Sequence, residues 1–476
     1  MKSAEKYVEK LRRMKPNLQV KGQRMDRLDA YFMPGINTIS LTLNWAELPE
    51  YGDLMTAFSP YIGEKVNRFT HLNQSHQDLM DRIRMIRLCC QQVGGCIQRC
   101  MGIDALNSFS IVTHQLDERF GTDYHQGFIE FLRYFQKENV VAAAAMTDVK
   151  GDRSLRPHQQ TDPDLYLRVV EKRSDGIVVR GAKAHNSMAP YAEELMVLPT
   201  RAMTKEEKDY AVAFAVPGDA DGVKLISKMK SPPLRSQLES PMGSFGSADC
   251  LTIFDDVFVP WERVFLCGEW EYAGLLASYF ATYHRHSYCG CKPGTADIFM
   301  GAAALIAEYN GVKEVSHIRD KIVEFIATAE SIYASGIAAA IHGKKTSSGT
   351  YLPDVVYSNV GRFLAGQNFS KEYELLIDIA GGLAQTIPFE EDYFDPETRP
   401  LLEKYLKGVA NVSTEDRVRC FNLIHDLTAS QFAGGKLVAG IHGGGAPQME
   451  RLAIYQNYDL EIRKAMAKHL AGISTE

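Results

Sequence analysis

The sequence predicts an α+β protein with three consecutive domains: an N-terminal helical domain over residues 1–140, a central antiparallel β-domain over 141–270 and a C-terminal helical bundle over 271–476. Two observations support this order. Helical periodicity dominates both ends of the chain, and the middle consists of short segments rich in β-branched residues that Asp-Gly pairs punctuate. Helices, then strands, then helices is the order of an α+β fold.

The N-terminal region contains three segments with a helical pattern: residues 3–14, 74–101 and 123–139. The second is long and periodic, and it carries Cys96 and Cys100. Because these cysteines are four residues apart, a helix over 74–101 would point both thiols the same way.

The middle of the chain is predicted to form strands. Residues 140–146 have the pattern of a strand that leads into a polar loop, and 254–265 have the pattern of two short strands around a Val-Pro bend. The remaining predicted strands are short and flanked by turn residues, and they cover 165–172, 176–179, 210–217 and 222–227.

Helices return after residue 271. The segment 272–283 favours a buried helix that leads into H-R-H-S-Y-C-G-C-K at 284–292. Gly290 and Pro293-Gly294 are expected to end this helix, with Cys291 near its last turn. The other predicted helices of this region cover 295–309, 311–343, 369–379 and 414–438.

The stretch 284–292 carries the strongest chemical signal. His284, Tyr288 and Cys291 are spaced i, i+4 and i+7, so one helix face would present all three. With Cys96 and Cys100 they supply a Cys3His set that suits zinc or an iron–sulfur cluster. Spacing alone leaves open that these cysteines are small buried hydrophobes. That packing role is predicted for the other six cysteines, Cys89, Cys90, Cys250, Cys267, Cys289 and Cys420.

Composition limits the other functions. A net charge of −6 with no basic run argues against nucleic acid as a partner. The first residues lack an apolar signal core, and no run of about 18 apolar residues occurs, which predicts a cytoplasmic protein without a membrane partner. Nine cysteines, an odd number, predict thiols and ligands rather than a disulfide framework.

Four motifs carry a family resemblance: M-T-D-V-K-G-D-R-S-L-R-P at 146–157, G-A-K-A-H at 181–185, F-D-D-V-F-V-P-W-E-R-V-F at 254–265 and H-G-G-G-A-P-Q at 442–448. Together they resemble the 4-hydroxyphenylacetate 3-hydroxylase superfamily, which shares the acyl-CoA dehydrogenase fold. The resemblance covers essentially the whole chain and implies an acyl-CoA dehydrogenase-like architecture and a homotetramer.

Within this superfamily, Cys96, Cys100, His284 and Cys291 match the cluster ligands of the 4-hydroxybutyryl-CoA dehydratase branch. The flavin monooxygenase branch lacks this set. The resemblance therefore implies a [4Fe–4S] cluster rather than zinc.

The resemblance also implies FAD beside the cluster and an acyl-CoA substrate. Three segments would contact the flavin: one at the edge of the β-domain, one beside the isoalloxazine, and one that reaches the nucleotide from a neighbouring subunit. Their residues are Met146, Thr147, Asp148, Lys150, Gly151, Asp152 and Arg153; His185, Asn186 and Ser187; and Asp378, Ile379, Ala380, Gly381 and Gly382. Without the family context, Gly381-Gly382 would be interpreted as the end of a helix.

The implied reaction is dehydration of 4-hydroxybutyryl-CoA or a related 4-hydroxyacyl-CoA by a radical route. A base removes the C2 proton, one-electron oxidation by FAD acidifies C3, and the C4 hydroxyl then leaves. His284 would ligate iron and move a proton, Tyr288 would hydrogen-bond the hydroxyl, and Lys292 would stabilise developing negative charge. A packed Tyr288 and a solvated Lys292 are the alternatives.

Three positions depart from the dehydratase pattern. That pattern has Glu where this chain has Asp249, Glu where it has Ala439, and Thr where it has Ser187. Asp249 and His284 remain candidates for the C2 base, and an apolar flavin cavity would suit Asp249 for that role. Loss of a carboxylate at Ala439 predicts slow turnover of 4-hydroxybutyryl-CoA or a bulkier substrate.

Three functional classes follow: a cluster-and-FAD lyase that also isomerises a 3-enoyl-CoA, a reduced-flavin aromatic monooxygenase, and an electron-carrying flavoprotein without catalysis. The Cys3His set favours the lyase, because an oxygenase has no need of those four residues.

Overall fold

The chain begins with a mostly helical region in the computed structural model, which describes residues 2–473. Ser3 caps the first helix by accepting a hydrogen bond from the Lys6 backbone, and buried Tyr7 and Leu11 hold that helix on the sheet core. The predicted helices at 3–14 and 123–139 are confirmed. The elements of this region are α1 (Ala4–Arg13), β1 (Leu18–Val20), β2 (Gln23–Met25), α2 (Met33–Asn44), α3 (Gly52–Met55), β3 (Thr56–Ser59), β4 (Glu64–Asn67), α4 (His76–Val93), α5 (Cys100–Phe120) and α6 (Tyr124–Lys137).

The central region supplies most of two β-sheets. The predicted strand at 140–146 is confirmed as β5, and the strands predicted at 176–179 and 222–227 extend further than the sequence indicated. The elements are β5 (Ala142–Ala145), β6 (Arg168–Lys172), β7 (Gly176–Ser187), β8 (Glu194–Val197), β9 (Val212–Pro217), β10 (Val223–Lys230), β11 (Ser247–Pro260) and β12 (Val264–Cys267).

The sheets are mixed rather than purely antiparallel. One has six strands in the order β2-β1-β10-β11-β7-β6, and the other has four in the order β12-β9-β8-β5. The pairs β1–β10 and β5–β8 are parallel, which corrects the prediction of an antiparallel domain. Because β1 and β2 come from residues 18–25, the N-terminal segment completes the larger sheet. The division into three domains at 140 and 270 stays a prediction.

The C-terminal region is a helical bundle with one small hairpin. Its inner face is lined by apolar residues such as Phe299, Phe325, Leu376 and Phe421. The elements are α7 (Trp270–Tyr309), α8 (Ser316–Ile341), β13 (Lys344–Lys345), β14 (Tyr351–Leu352), α9 (Val355–Ala380), α10 (Leu383–Thr386), α11 (Glu390–Phe394), α12 (Arg399–Tyr405), α13 (Thr414–Thr428), α14 (Gln431–His442), α15 (Pro447–Asn457) and α16 (Leu460–Leu470).

The central helix α7 runs unbroken through the residues that were expected to end it. Pro293 lies inside its 40 residues. Gly290 and Gly294 serve packing rather than helix termination: a Cβ at Gly290 would lie 2.4 Å from the Ile83 carbonyl oxygen, and one at Gly294 would lie 2.5 Å from the Arg87 carbonyl oxygen. Both glycines therefore let α4 approach the α7 backbone.

Other helix predictions also need correction. The predicted helix at 74–101 ends at Val93, where Gly94 has a φ of 62° and reverses the chain. Cys96 thus lies in a loop, and Cys100 begins α5. The predicted helix at 414–438 is two helices that Ser430 separates, because the Ser430 side chain caps α14.

Among residues 2–473, α8 alone is long and apolar enough to cross a membrane by length and composition. Its buried residues, among them Phe325, Ala329 and Ile332, pack within the bundle.

Candidate active site

Close packing of α4 on α7 brings distant cysteines together. Cys96 is exposed, whereas Cys100 and Cys291 are buried, and all three are free thiols. Interaction with the neighbouring Cys100 and Cys291 thiols is the main cause that lowers the pKa of Cys96 well below its usual range. The neighbouring Cys90 and Cys96 thiols, together with burial, raise the pKa of Cys291. Three predicted ligands therefore converge, although a loop rather than a helix presents the first.

His284 completes the predicted set. One nitrogen of its imidazole, the Cys100 sulfur and an Asp104 oxygen all lie within 4.8 Å of one another. Burial is the main reason that the pKa of His284 falls to about 4; the charge of Cys96 opposes this, and Arg82 lowers the pKa further. The imidazole lies beside Cys100, and Cys96 adjoins both Cys100 and Cys291. Three thiols and a neutral imidazole are the donor set that an iron–sulfur cluster with one histidine ligand requires, so these residues fit the implied cluster.

Tyr288 lies one turn beyond His284, with ring centroids 5.4 Å apart. Its hydroxyl donates a hydrogen bond to the Ala439 carbonyl oxygen at 3.2 Å. The Arg362 guanidinium lies 4.6 Å from the centre of its ring. Burial raises the pKa of Tyr288, so the phenol keeps its proton at neutral pH.

Lys292 is buried rather than solvated, which corrects the alternative considered for it. Its ammonium pairs with the carboxylate of Glu372, and its Nζ lies 3.9 Å from the centre of the Phe369 ring. Because both partners lie on α9, Lys292 joins α7 to α9. A catalytic role for Lys292 stays a prediction.

Asp249 lies on β11 in the six-stranded sheet. Ser187 donates a hydrogen bond to it at 2.5 Å, and the Lys230 ammonium pairs with its other oxygen. The expectation of apolar surroundings for Asp249 is therefore wrong. A carboxylate, a hydroxyl and an ammonium together form a polar set that can hold or move a proton.

Helix α14 contacts both Lys230, the partner of Asp249, and the loop that carries Cys96. At Gly435 a Cβ would lie 2.4 Å from Cδ of Lys230, so the lysine stem packs on this helix. The next residue, Lys436, donates a hydrogen bond to the Gly94 carbonyl oxygen at 2.8 Å, in the loop that presents Cys96. Burial lowers the pKa of Lys436 to about 8, against the opposing charge of Cys96. Ala439, one turn later, is exposed on the same helix.

The predicted flavin segment at 146–153 borders β7. Lys183 donates hydrogen bonds to the Met146 and Leu198 carbonyl oxygens and pairs with buried Asp148 at 2.8 Å. Lys150 has a φ of 77°, a left-handed conformation that is costly for a residue with a side chain. In the rest of this segment, Thr147 is half-buried, and Gly151, Asp152 and Arg153 are exposed.

The segment predicted to lie beside the isoalloxazine contains His185, Asn186 and Ser187. His185 is exposed and has a φ of 55°. Asn186 is buried, and its Nδ2 donates to Thr252, but its Oδ1 has no partner among the described residues. A buried acceptor without a donor and left-handed backbone at adjacent positions fit a segment that contacts a polar cofactor.

The third predicted flavin segment, 378–382, lies at the end of α9. Asp378 is exposed and pairs with Lys321 of α8, whereas Ile379 and Ala380 are buried. Gly381 is the C-cap of α9 with a φ of 74°. A Cβ at Gly381 or Gly382 would meet no atom within 4 Å, so their backbone faces open space within one chain. Contact with a flavin bound in a neighbouring subunit stays a prediction.

The sequence did not identify several residues that surround the site. They are Arg82, Asp104, Lys230, Lys436 and Cys90, which was assigned a packing role. Asp104 was detectable, because it follows Cys100 by four residues and so shares its helix face. The two lysines carried no local signal, since their partners lie 19 and 342 residues away in the chain.

Sequence profiles place this fold in a known family. The profile described as 4-hydroxyphenylacetate 3-hydroxylase N terminal matches residues 3–266, and the one described as its C terminal matches residues 273–472. The 4-hydroxybutyryl-CoA dehydratase/vinylacetyl-CoA-Delta-isomerase of Clostridium aminobutyricum is 40% identical over 99% of both chains. The chain belongs to the 4-hydroxyphenylacetate 3-hydroxylase family, in its 4-hydroxybutyryl-CoA dehydratase branch.

Solved structures of this family agree with the fold. An oxygen-tolerant archaeal 4-hydroxybutyryl-CoA dehydratase from N. maritimus has a TM-score of 0.95 and 40% identity, and it covers 100% of this chain and 96% of its own. The oxygenase component of 4-hydroxyphenylacetate 3-monooxygenase, complexed with FAD, has a TM-score of 0.89 and 26% identity over 99% and 98% of the chains. The acyl-CoA dehydrogenase-like architecture is thereby confirmed.

Proposed function

We propose that this protein dehydrates a 4-hydroxyacyl-CoA, 4-hydroxybutyryl-CoA or a relative, to the enoyl-CoA and also isomerises a 3-enoyl-CoA. The observation that carries the proposal is the convergence of Cys96, Cys100, Cys291 and neutral His284 in a chain 40% identical to a 4-hydroxybutyryl-CoA dehydratase. When bound, FAD supplies one-electron oxidation and the cluster supplies a Lewis-acidic iron.

The chain's own residues supply proton handling. The substrate loses protons from C2 and C3 and hydroxide from C4; one proton leaves with the hydroxide as water, and the other returns to C4. Asp249 and His284 are the candidates for the C2 base. The half-buried Tyr288 phenol retains its proton, and it becomes the hydrogen-bond donor for the C4 hydroxyl when the substrate replaces the Ala439 carbonyl as its acceptor.

Two cations of α7 lie near the site: Lys292 is ion-paired, whereas the Arg285 guanidinium donates hydrogen bonds to the Gly444 carbonyl oxygen and to Asn359. Lys292 is paired with Glu372, so it contributes a fixed dipole rather than a mobile charge. Lys230 and Lys436 supply positive charge from the sheet and from α14. Lys230 is itself paired with Asp249, whereas Lys436 is bound to a carbonyl oxygen, so Lys436 is the better candidate than Lys292 to stabilise an enolate oxygen.

The first test concerns the cofactors. Protein purified without oxygen is expected to contain about four iron atoms with acid-labile sulfide per chain, and non-covalent FAD. Cys96→Ala removes a ligand and loses iron. Cys420→Ala, in the bundle core, retains it. Zinc without acid-labile sulfide contradicts the proposal.

The second test concerns the substrate. Ala439 stands where the dehydratase pattern has Glu, and the missing side chain leaves room for a longer or substituted acyl chain. Wild type and Ala439→Glu are assayed without oxygen on a panel of 4-hydroxyacyl-CoA esters. Ala439→Glu is expected to turn over 4-hydroxybutyryl-CoA faster and larger esters more slowly. Equal profiles for both proteins contradict the role given to Ala439.

The alternative is a reduced-flavin aromatic monooxygenase, which the FAD-bound relative at 26% identity supports. It predicts hydroxylation of a phenol with reduced flavin and oxygen, and no turnover of any hydroxyacyl-CoA. The same two assays therefore separate these functions. A flavoprotein that turns over neither substrate is an electron carrier.

A further inference from the structure

Asp104 stands behind His284 and holds its imidazole. The carboxylate is fully buried on α5. One oxygen, Oδ2, lies 2.7 Å from Nδ1 of His284. The other, Oδ1, accepts a hydrogen bond from the Ser287 hydroxyl at 3.2 Å and pairs with the guanidinium of Arg82.

Arg82 is committed to this carboxylate. It is fully buried, and its Nη2 also donates to the Ser287 hydroxyl at 2.7 Å. Its Nε and Nη1 have no hydrogen-bond partner within residues 2–473. A buried guanidinium whose polar contacts are Asp104 and Ser287 fixes which way the carboxylate faces.

Asp104 lies close to Cys100 and His284. Each of its oxygens already has a protein partner, His284 for Oδ2 and Ser287 with Arg82 for Oδ1, so we assign it to holding His284 rather than to the metal. Because the carboxylate faces Nδ1, that nitrogen carries the proton and Nε2 keeps its lone pair.

We propose that Asp104 is the positioning residue of the cluster: with Arg82 it fixes the tautomer of His284 so that Nε2 ligates iron. This inference rests on the proposed cluster. A carboxylate that orients a metal-bound histidine is a general arrangement, and its loss lowers metal affinity or activity about 10- to 100-fold.

Asp104→Asn tests the tautomer directly. Arg82 only donates hydrogen bonds, so the new amide turns its oxygen toward Arg82 and its NH2 toward His284. Nδ1 of His284 then accepts, and Nε2 carries the proton and no longer ligates. In the Mössbauer spectrum of ⁵⁷Fe-loaded protein, the nitrogen-ligated iron, about a quarter of the total, is expected to disappear.

A second substitution provides the suppressor. Arg82→Gln replaces a side chain that only donates with one that both donates and accepts. In the double variant Asp104→Asn with Arg82→Gln, the amide at position 104 is therefore free to turn its oxygen back to the imidazole Nδ1 of His284. The double variant also removes a buried, unpaired charge, which favours folding if the single variant does not fold. We expect it to regain the nitrogen-ligated iron.

The control is Asp426→Asn, at another buried aspartate–arginine pair. Arg235 binds Asp426 of α13 at 2.8 and 2.9 Å. The neighbouring Ile424 and Leu427 belong to a core cluster of described residues that contains none of Cys96, Cys100 and Cys291. This variant is expected to lose stability and keep the wild-type Mössbauer spectrum. A nitrogen-ligated iron retained in Asp104→Asn, or absent from a folded double variant, overturns the inference. Wild type without any iron–sulfur cluster overturns the proposed function instead.

Discussion

Substituting Gly290 by Ala tests whether helix contact assembles the site. The added Cβ would lie 2.4 Å from the Ile83 carbonyl oxygen. An ordinary contact is about 3.5 Å, so α4 and α7 must separate by roughly 1 Å. Overpacking of this kind costs about 1–3 kcal/mol, which exceeds the ~0.5–1 kcal/mol that Ala gains over Gly in a helix.

The same displacement affects metal binding. α4 leads into the loop that holds Cys96, whereas α7 holds His284 and Cys291. Because metal sites tolerate deviations of only about 0.2 Å, a shift near 1 Å is expected to reduce the iron content of Gly290→Ala. The assay is the urea midpoint of unfolding together with iron analysis of the same preparation.

Gly301→Ala is the matched control in the same helix. A Cβ at Gly301 meets no atom within 4 Å. Its substitution is therefore expected to raise stability by ~0.5–1 kcal/mol and leave iron unchanged. Equal midpoints and equal iron in the two variants would refute the reasoning that glycine contacts hold α4 on α7.

Three further predictions address other parts of the molecule. Cys90→Ala is expected to keep its iron, because the proposed fourth ligand is His284 rather than Cys90; loss of iron reassigns that position. Gly382→Asp, in open space within one chain, is expected to weaken FAD uptake without loss of stability, and full FAD binding by a demonstrated monomer would exclude a contribution across subunits. Burial alone would raise the pKa of Glu207, but hydrogen bonds from Arg156 and other donors lower it to about 2 from 4.5. Its stabilising effect is thus complete above pH 4.5 and is lost as pH falls toward 2, so urea midpoints of wild type and Glu207→Gln should differ at pH 6 and converge in acid; a constant difference would show that ionisation is not the cause.

The sequence predicted the fold class better than it predicted local structure, and the assignment of the cluster donors stays a prediction. Residue types report chemistry, so Cys96, Cys100, His284 and Cys291 were recognisable as a set. Local rules failed where tertiary packing decides. Pro293 did not end α7, because the helix is packed along its length against α4 and α9.

Partners distant in the chain account for most of what the sequence missed. Lys292 was expected to be solvated or catalytic, but Glu372, 80 residues away, pairs with it. Asp249 was expected in apolar surroundings, but Lys230 on the neighbouring strand pairs with it. No periodicity or spacing within one segment encodes such pairs.

The proposed cluster ligands are divided between long helix α7, the start of α5 and the short loop before it. His284 and Cys291 lie on one 40-residue helix that also forms the centre of the bundle, whereas Cys96 lies in the six-residue loop between α4 and α5. Substitutions in that loop are therefore expected to change the proposed cluster site while the helices beneath it stay intact. This division gives a physical route by which one architecture serves both dehydratases and oxygenases. The oxygenase component of 4-hydroxyphenylacetate 3-monooxygenase, at 26% identity, shares the architecture with a TM-score of 0.89.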